Sequence, residues 1–135
     1  QSAGEMKIYG DGDLKSTTST TIEEPHDGYE PAFIGKLSGS SWGQFGGWID
    51  EVGNWSSTLS ADEVTAIYNS GTPTDLSVDA GNYESSANLN GYWRNGDPDG
   101  TSEYPTIEDA SDESNDATMT NMASEDIVEE VPPEE

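Results

Sequence analysis

Apolar residues in this chain come in short bursts between long polar stretches, and one burst is dense: residues 45–55, Phe-Gly-Gly-Trp-Ile-Asp-Glu-Val-Gly-Asn-Trp. The bursts predict mostly strands. Residues 6–9 alternate apolar and polar side chains and read as a strand, and Gly10-Asp11-Gly12-Asp13 reads as the turn after it, because Gly and Asp tolerate positive φ. Residues 14–22 are β-branched and polar, as in a return strand with one wet face. Residues 23–31 form a loop punctuated by Pro25, Gly28 and Pro31. Residues 32–37 predict a further short strand, and residues 38–43 a loop bearing Trp42. In residues 45–55 the alternation is broken: Trp48 and Val52 share one parity, Ile49 and Trp55 the other. A half-wet strand keeps its apolar residues in phase. Either a bulge re-phases this one, with Gly53 suited to it, or both faces are covered.

The pattern then changes period. Val64, Ile67 and Tyr68 fall at helical spacing, and a helix is predicted over residues 60–70. Ser60 and Glu63 form a capping-box pair, Leu59 can staple onto the apolar face, and Gly71 with Pro73 beyond it marks the stop. Residues 74–88 are poor in apolar side chains and read as loop. Residues 89–94, with Tyr92 and Trp93, predict a strand; Ile107 and residues 117–122 predict short edge strands. Residues 132–135 predict a disordered acidic end.

Composition narrows the class. The chain has 135 residues, the length of one domain, with 30% hydrophobic residues, 15 glycines, four Trp and six Tyr. That is the make-up of short strands joined by many turns around a small aromatic core. The net charge is −24, from 28 acidic residues against four Lys and Arg. Lys7, Lys15, Lys36 and Arg94 cannot build the basic face that nucleic acid or an anionic membrane requires. The acidity fits solubility in a salty medium, or divalent cation binding through oxygen ligands. With no cysteine, disulfides, thiolate metal sites and cysteine nucleophiles are excluded. No apolar run approaches a membrane span, and no signal peptide is visible.

Several of these stretches, taken in order, resemble a known family. They are Lys7-Ile8-Tyr9 with its Gly/Asp turn, Phe33-Ile34-Gly35, Gly47-Trp48-Ile49-Asp50-Glu51-Val52, Leu59-Ser60-Ala61-Asp62-Glu63-Val64 and Ile67-Tyr68. Together they resemble the second half of a laminin-G-like, concanavalin A-like lectin/glucanase domain. The resemblance covers about residues 6–71 and implies an all-β fold, an antiparallel jelly-roll-like β-sandwich with one short helix. Asn88-Leu89-Asn90-Gly91-Tyr92-Trp93-Arg94, Ile107-Glu108-Asp109-Ala110-Ser111, Asn115-Asp116-Ala117-Thr118-Met119 and Asp126-Ile127-Val128 resemble the opening of such a domain. The order is therefore a C-terminal half (residues 1–74) followed by an opening-like, loop-rich segment (75–131) and an acidic tail (132–135). Three arrangements are open. The missing half lies upstream in a longer precursor, the late segment folds back to complete this sandwich, or it completes one on a neighbouring subunit. The truncated laminin-G-like end, the acidity and the Trp93-Arg94-Asn95-Gly96-Asp97 run are also similar to virion proteins of marine bacteriophages.

Candidate chemistry is sparse. Asp50 and Glu51 are adjacent, so on a strand they point to opposite faces and cannot line one cleft as a glycosidase pair. One of them, Asp50 or Glu51, is expected to hydrogen-bond backbone near the helix start, and no catalytic residue is expected. Calcium would use Asp11 and Asp13 or Asp97 and Asp99 in Gly-rich turns, although a plain turn explains both. Carbohydrate would use exposed aromatics: Trp42, Tyr29 and His26. Structural roles fall to Trp48, Ile49, Asp50, Val52, Trp55, Leu59, Ser60, Glu63, Ile67, Tyr68, Tyr92 and Trp93. The expectation is a non-enzymatic structural or adhesion module at a virion or extracellular surface. Its partners would be like subunits, other virion or surface proteins, and cell-surface glycans. The alternative is a calcium-assisted carbohydrate-binding module of a bacterial extracellular protein.

Overall fold

The computed structural model describes residues 2–22, 32–36, 43–95 and 103–127. Among them the chain is mostly β, with three two-stranded antiparallel sheets and one short α-helix. The first sheet is a hairpin of β1 (Ser2–Gly10) and β2 (Asp13–Ile22). Its loop is Asp11-Gly12, both left-handed at φ 53° and 75°. That is the geometry a two-residue hairpin loop needs to match strand twist, and Asp-Gly supplies it at little steric cost. Pairing runs from Ser2↔Ile22 to Gly10↔Asp13, and the register shifts between Ile8 and Tyr9, leaving Lys15 as an extra residue on β2. The strand reaches back to Ser2, four residues beyond the apolar alternation that announces it.

The second sheet joins distant parts of the chain. β3 (Val52–Trp55) pairs with β4 (Leu89–Trp93) through Val52↔Trp93, Gly53↔Tyr92, Asn54↔Gly91 and Trp55↔Leu89. The register shift anticipated at Gly53 falls one step later, between Asn54 and Trp55, and its extra residue is Asn90 on β4. Each strand folds a Trp ring back over its own glycine. A Cβ on Gly53 would stand 2.5 Å from Trp55 Cη2, and one on Gly91 would stand 2.4 Å from Trp93 Cη2. A side chain at either position has no room. The third sheet pairs β5 (Thr106–Ile107) with β6 (Ala117–Thr118), and a bridge from Trp93 to Asp109 ties it to β4.

Between β3 and β4 lies α1 (Ala61–Tyr68). Its start follows the sequence signature: Ser60 N–H donates to Glu63 Oε2 at 2.8 Å, and Glu63 N–H donates to Ser60 Oγ at 3.2 Å. Its end comes before the expected Gly71. Asn69 already turns left-handed at φ 42°, and Ser70 and Gly71 follow at 59° and 81°. Asn tolerates this region, and its Nδ2 donates to Thr72 O and Thr74 Oγ1. Ile67 packs on the core, while Tyr68 turns outward and covers the hairpin loop, where a Cβ on Gly12 would come within 2.8 Å of its ring.

Leu76, Leu89 and Tyr92 form the buried cluster, with Trp55 and Ile67 against it; Tyr83 and Ile107 are buried as well. The core therefore sits over residues 76–107 and takes in β3 and α1 from the earlier part. The boundary anticipated at 74/75 separates two strands, β3 and β4, that pair with each other.

Two expected strands are corrected. Residues 32–36 are irregular, with Gly35 left-handed at φ 76°, and Phe33 and Ile34 are exposed. The dense stretch 45–55 is a strand only from Val52 onward. Gly46 and Gly47 give its first part no strand preference, and Glu51 at φ 51° breaks the extended run. Trp48, expected among the structural residues, is 65% exposed. Leu37, Trp42 and the acidic tail 132–135 lie outside the described residues.

Candidate functional site

The join of β3 and β4 carries a polar cluster built by register. Val52 pairs with Trp93, which sets the residue before one strand, Glu51, beside the residue after the other, Arg94. Glu51 Oε1 lies 3.5 Å from Arg94 Nε. The Tyr92 hydroxyl donates to Glu51 Oε2 and lies 3.3 Å from Thr74 O. Arg94 stacks over the Tyr92 ring at 5.9 Å. Tyr92 is fully buried; burial, with the Glu51 carboxylate beside it, pushes its phenol well above the ordinary tyrosine range. The phenol thus stays protonated and acts as a donor. Glu51 is left-handed at φ 51°, and its side chain is only 17% exposed.

Glu51 is thus tied to Tyr92 and Arg94 at the β3–β4 join. It does not serve the helix start, which Glu63 holds. Asp50 stays on the surface and accepts from Glu51 N–H at 2.9 Å. On the other side of the core, Trp55 Nε1 donates to Tyr83 Oη at 2.9 Å, and that hydroxyl donates to Leu76 O at 2.9 Å. Tyr83 thus holds the segment around Leu76 by its carbonyl, while the single Tyr92 hydroxyl proton goes to Glu51. Burial raises the Tyr83 phenol as well, against the hydrogen bond from Trp55.

A third polar centre is Asp109, a buried carboxylate. Its Oδ1 accepts from Tyr92 N–H at 2.8 Å and Ser111 N–H at 2.9 Å; its Oδ2 accepts from Asn115 N–H at 2.8 Å. Burial alone would raise its pKa, but these backbone donors outweigh it and hold the carboxyl below the ordinary aspartate value. The loop it organises returns to β4: Trp93 Nε1 donates to Asn115 O, and Asn115 Nδ2 to Asn90 O.

The open concavity lies beside the start of α1, lined by Ser60, Asp62, Glu63, Asn82, Glu84 and Ser85, with a volume of about 430 Å³. Glu63 is committed there. Its Oε1 accepts from the Ser85 hydroxyl and its Oε2 from Ser60 N–H, and these bonds, the Ser85 one first, hold its pKa down to about 2. It is an ionised structural acceptor and has no proton to move near neutral pH. The lining is rich in acceptors and hydroxyls, which suits a ligand made of hydroxyl donors and repels anions.

Of the residues expected to bind ligand, His26, Tyr29 and Trp42 lie outside the described residues, as do Asp97 and Asp99. Asp11 sits at the hairpin tip, and Asp13 is 3.3 Å from Lys15 Nζ. Among the described residues no group of three or more His, Asp or Glu could hold a metal ion, and no helix is long and apolar enough to cross a membrane. Sequence reasoning missed Tyr83, Ser85 and Asp109. One signal was present for Asp109: Asp followed two residues on by Ser marks an Asx turn, and Asp75-Leu76-Ser77 shows the same pattern, with Asp75 Oδ1 accepting from Ser77 N–H at 2.9 Å.

The comparison with known families fits this architecture in one part of the chain. Residues 1–65, just under half of it, match a laminin-G-type model of the concanavalin A-like lectin/glucanases superfamily. The match takes in β1, β2, β3 and the first turn of α1, and stops short of the buried residues from Leu76 to Asp109. No curated protein and no solved structure matches the chain.

Proposed function

We propose that this chain is a non-enzymatic structural or adhesion module, working at a virion or extracellular surface as one of several associated subunits. The match of residues 1–65 to the concanavalin A-like superfamily supports an adhesion-type module. The carrying observation is where the apolar side chains of that matched part point. Among the described residues Met6, Ile8, Leu14, Phe33, Ile34, Phe45 and Trp48 are exposed and Ile49, Val52 and Trp55 only half-buried, while every fully buried residue comes from 76–109. A sheet of only two strands with apolar side chains on its surface is marginal alone and gains by being covered. In this reading the hairpin is part of a jelly-roll-like β-sandwich completed through association. Electron microscopy of particles and cells from the producing culture, labelled with antibody to this chain, tests the placement. Regular label on virions or cell surfaces supports it, and signal confined to the soluble fraction refutes it.

A second reading is a calcium-assisted carbohydrate-binding module, and the acceptor-lined concavity beside α1 supports its carbohydrate part. A glycan array probed with calcium and again with chelator decides it: spots lost on chelation support it, and an array blank in both conditions removes it. Release of reducing sugar from any retained glycan would overturn the non-enzymatic assignment.

A further inference from the structure

The hairpin forms a sheet of its own, and among the described residues no backbone hydrogen bond joins either of its edges to another element. An open edge is a template for a further strand, and strands are recognised by adding one to such an edge. What could approach it is limited by charge. The chain carries −24, but residues 2–22 hold Glu5, Asp11 and Asp13 against Lys7 and Lys15, a net of −1. Two copies repel over most of their surfaces and least at the hairpin.

β1 is also marked for one register. Glu5 and Lys7 flank Met6 on one face, their charged groups 3.5 Å apart. Met6 and Ile8 lie on the other face and are more than half exposed. In an antiparallel pairing of two β1 strands about a two-fold axis at Met6, Glu5 faces the partner's Lys7 and Lys7 faces the partner's Glu5. Met6 meets its own copy, and Ile8 stands opposite the partner's Gly4, which leaves it space. The adjacent two-fold registers, centred on Glu5 or on Lys7, set like charges directly opposite each other, and this is destabilising. The outer edge of β2 offers no such mark: residues 16–22 are uncharged, mostly Ser and Thr.

We propose that β1 is a self-pairing edge, through which two copies of this chain join antiparallel about a two-fold axis at Met6 into one four-stranded sheet. This rests on the reading of the chain as an associating structural or adhesion module, and it names the partner and the surface.

Sedimentation equilibrium and cysteine trapping on the full chain test it. The wild-type chain is expected to dimerise, more tightly as salt rises from low ionic strength and general repulsion is screened. Glu5→Lys and Lys7→Glu each turn two attractive pairs into two repulsive ones and should weaken the dimer by about tenfold or more. The double exchange E5K/K7E restores the pairing and should recover most of the affinity. Met6→Cys, in a chain with no other cysteine, should give a disulfide-linked dimer on mild oxidation, and Thr18→Cys on β2 should not. Far-UV circular dichroism and the urea midpoint report the folding of each variant separately. A wild-type chain that stays monomeric overturns the proposal. So does a double exchange no tighter than either single, or faster trapping through Thr18→Cys. A monomeric chain that still labels particles overturns the pairing alone, and a paired chain absent from particles and cell surfaces overturns the surface reading alone.

Discussion

Removing the Asp109 carboxylate tests how β4 is held on its second edge. Three backbone donors converge on that side chain, from Tyr92, Ser111 and Asn115, at 2.8–2.9 Å. The Tyr92 N–H belongs to a fully buried residue; with the carboxylate gone it has no water to turn to. A hydrogen bond to a charged group contributes about 1.5–3 kcal/mol, and a buried donor left unpaired costs the same order. Ser111 and Asn115 are nearer the surface, where water replaces much of what they lose. Asp109→Ala should therefore cost about 3–4 kcal/mol, a large part of the ~5–15 kcal/mol that holds a domain of this size. Asp109→Asn keeps one acceptor and sets an amide donor against a backbone donor, so it should cost less, about 1–2 kcal/mol. Urea unfolding by linear extrapolation gives these differences, and hydrogen exchange at Tyr92 and Asn115 localises them. The pH dependence carries a sign of its own. The folded pKa lies below the unfolded one. The stabilisation is therefore complete above the unfolded carboxylate value of about 3.9 and is lost as pH falls through the lower folded value. Acid also relieves the repulsion of a chain at −24, so the quantity to plot is wild type minus Asp109→Ala, which cancels that background. The difference should be flat above about pH 5 and shrink below about pH 4. A D109A chain within about 0.5 kcal/mol of wild type, or a difference that grows in acid, would refute the reasoning.

Three other perturbations report on other parts of the fold. Gly91→Ala forces a Cβ into the Trp93 ring, 2.4 Å from Cη2; it should cost about 1–3 kcal/mol by chemical denaturation and change the Trp fluorescence. Ser60→Ala removes the cap acceptor for Glu63 N–H and should cost about 1 kcal/mol, with faster exchange confined to the first turn of α1. Raising NaCl from about 10 mM to about 0.5 M should raise the thermal unfolding midpoint, because like charges crowd more in the folded chain than in the unfolded one; a falling midpoint contradicts that account.

Local signals were legible where chain neighbours alone decide the outcome. Asp11-Gly12 specified the hairpin loop because both residues accept positive φ and the strands on either side are free of breakers. Ser60 and Glu63 specified the start of α1 because a capping box is closed within four residues. The spacing of Ile67 indicated the face that meets the core, and the sequence features over residues 6–71 matched a family whose model covers 1–65. The absence of cysteine excluded disulfides and thiolate chemistry without any coordinates.

What neighbours do not decide, the tertiary structure did. Residues 45–51 lie in the densest apolar run, and they are not a strand: two glycines lower their strand preference, Glu51 is left-handed, and no strand pairs with them among the described residues. Burial went instead to Leu76, Tyr83 and Ile107, in stretches with no hydrophobic period to reveal them. Their burial depends on β3 meeting β4 across more than thirty residues, and on Asp109 gathering backbone donors from both β4 and its own loop. Glu51 and Arg94 became partners only through the Val52↔Trp93 register. The sequence thus determined turns, cap and charge, which are short-range properties of the chain. Only the tertiary structure decided which apolar residues are covered, because burial depends on which distant segments arrive.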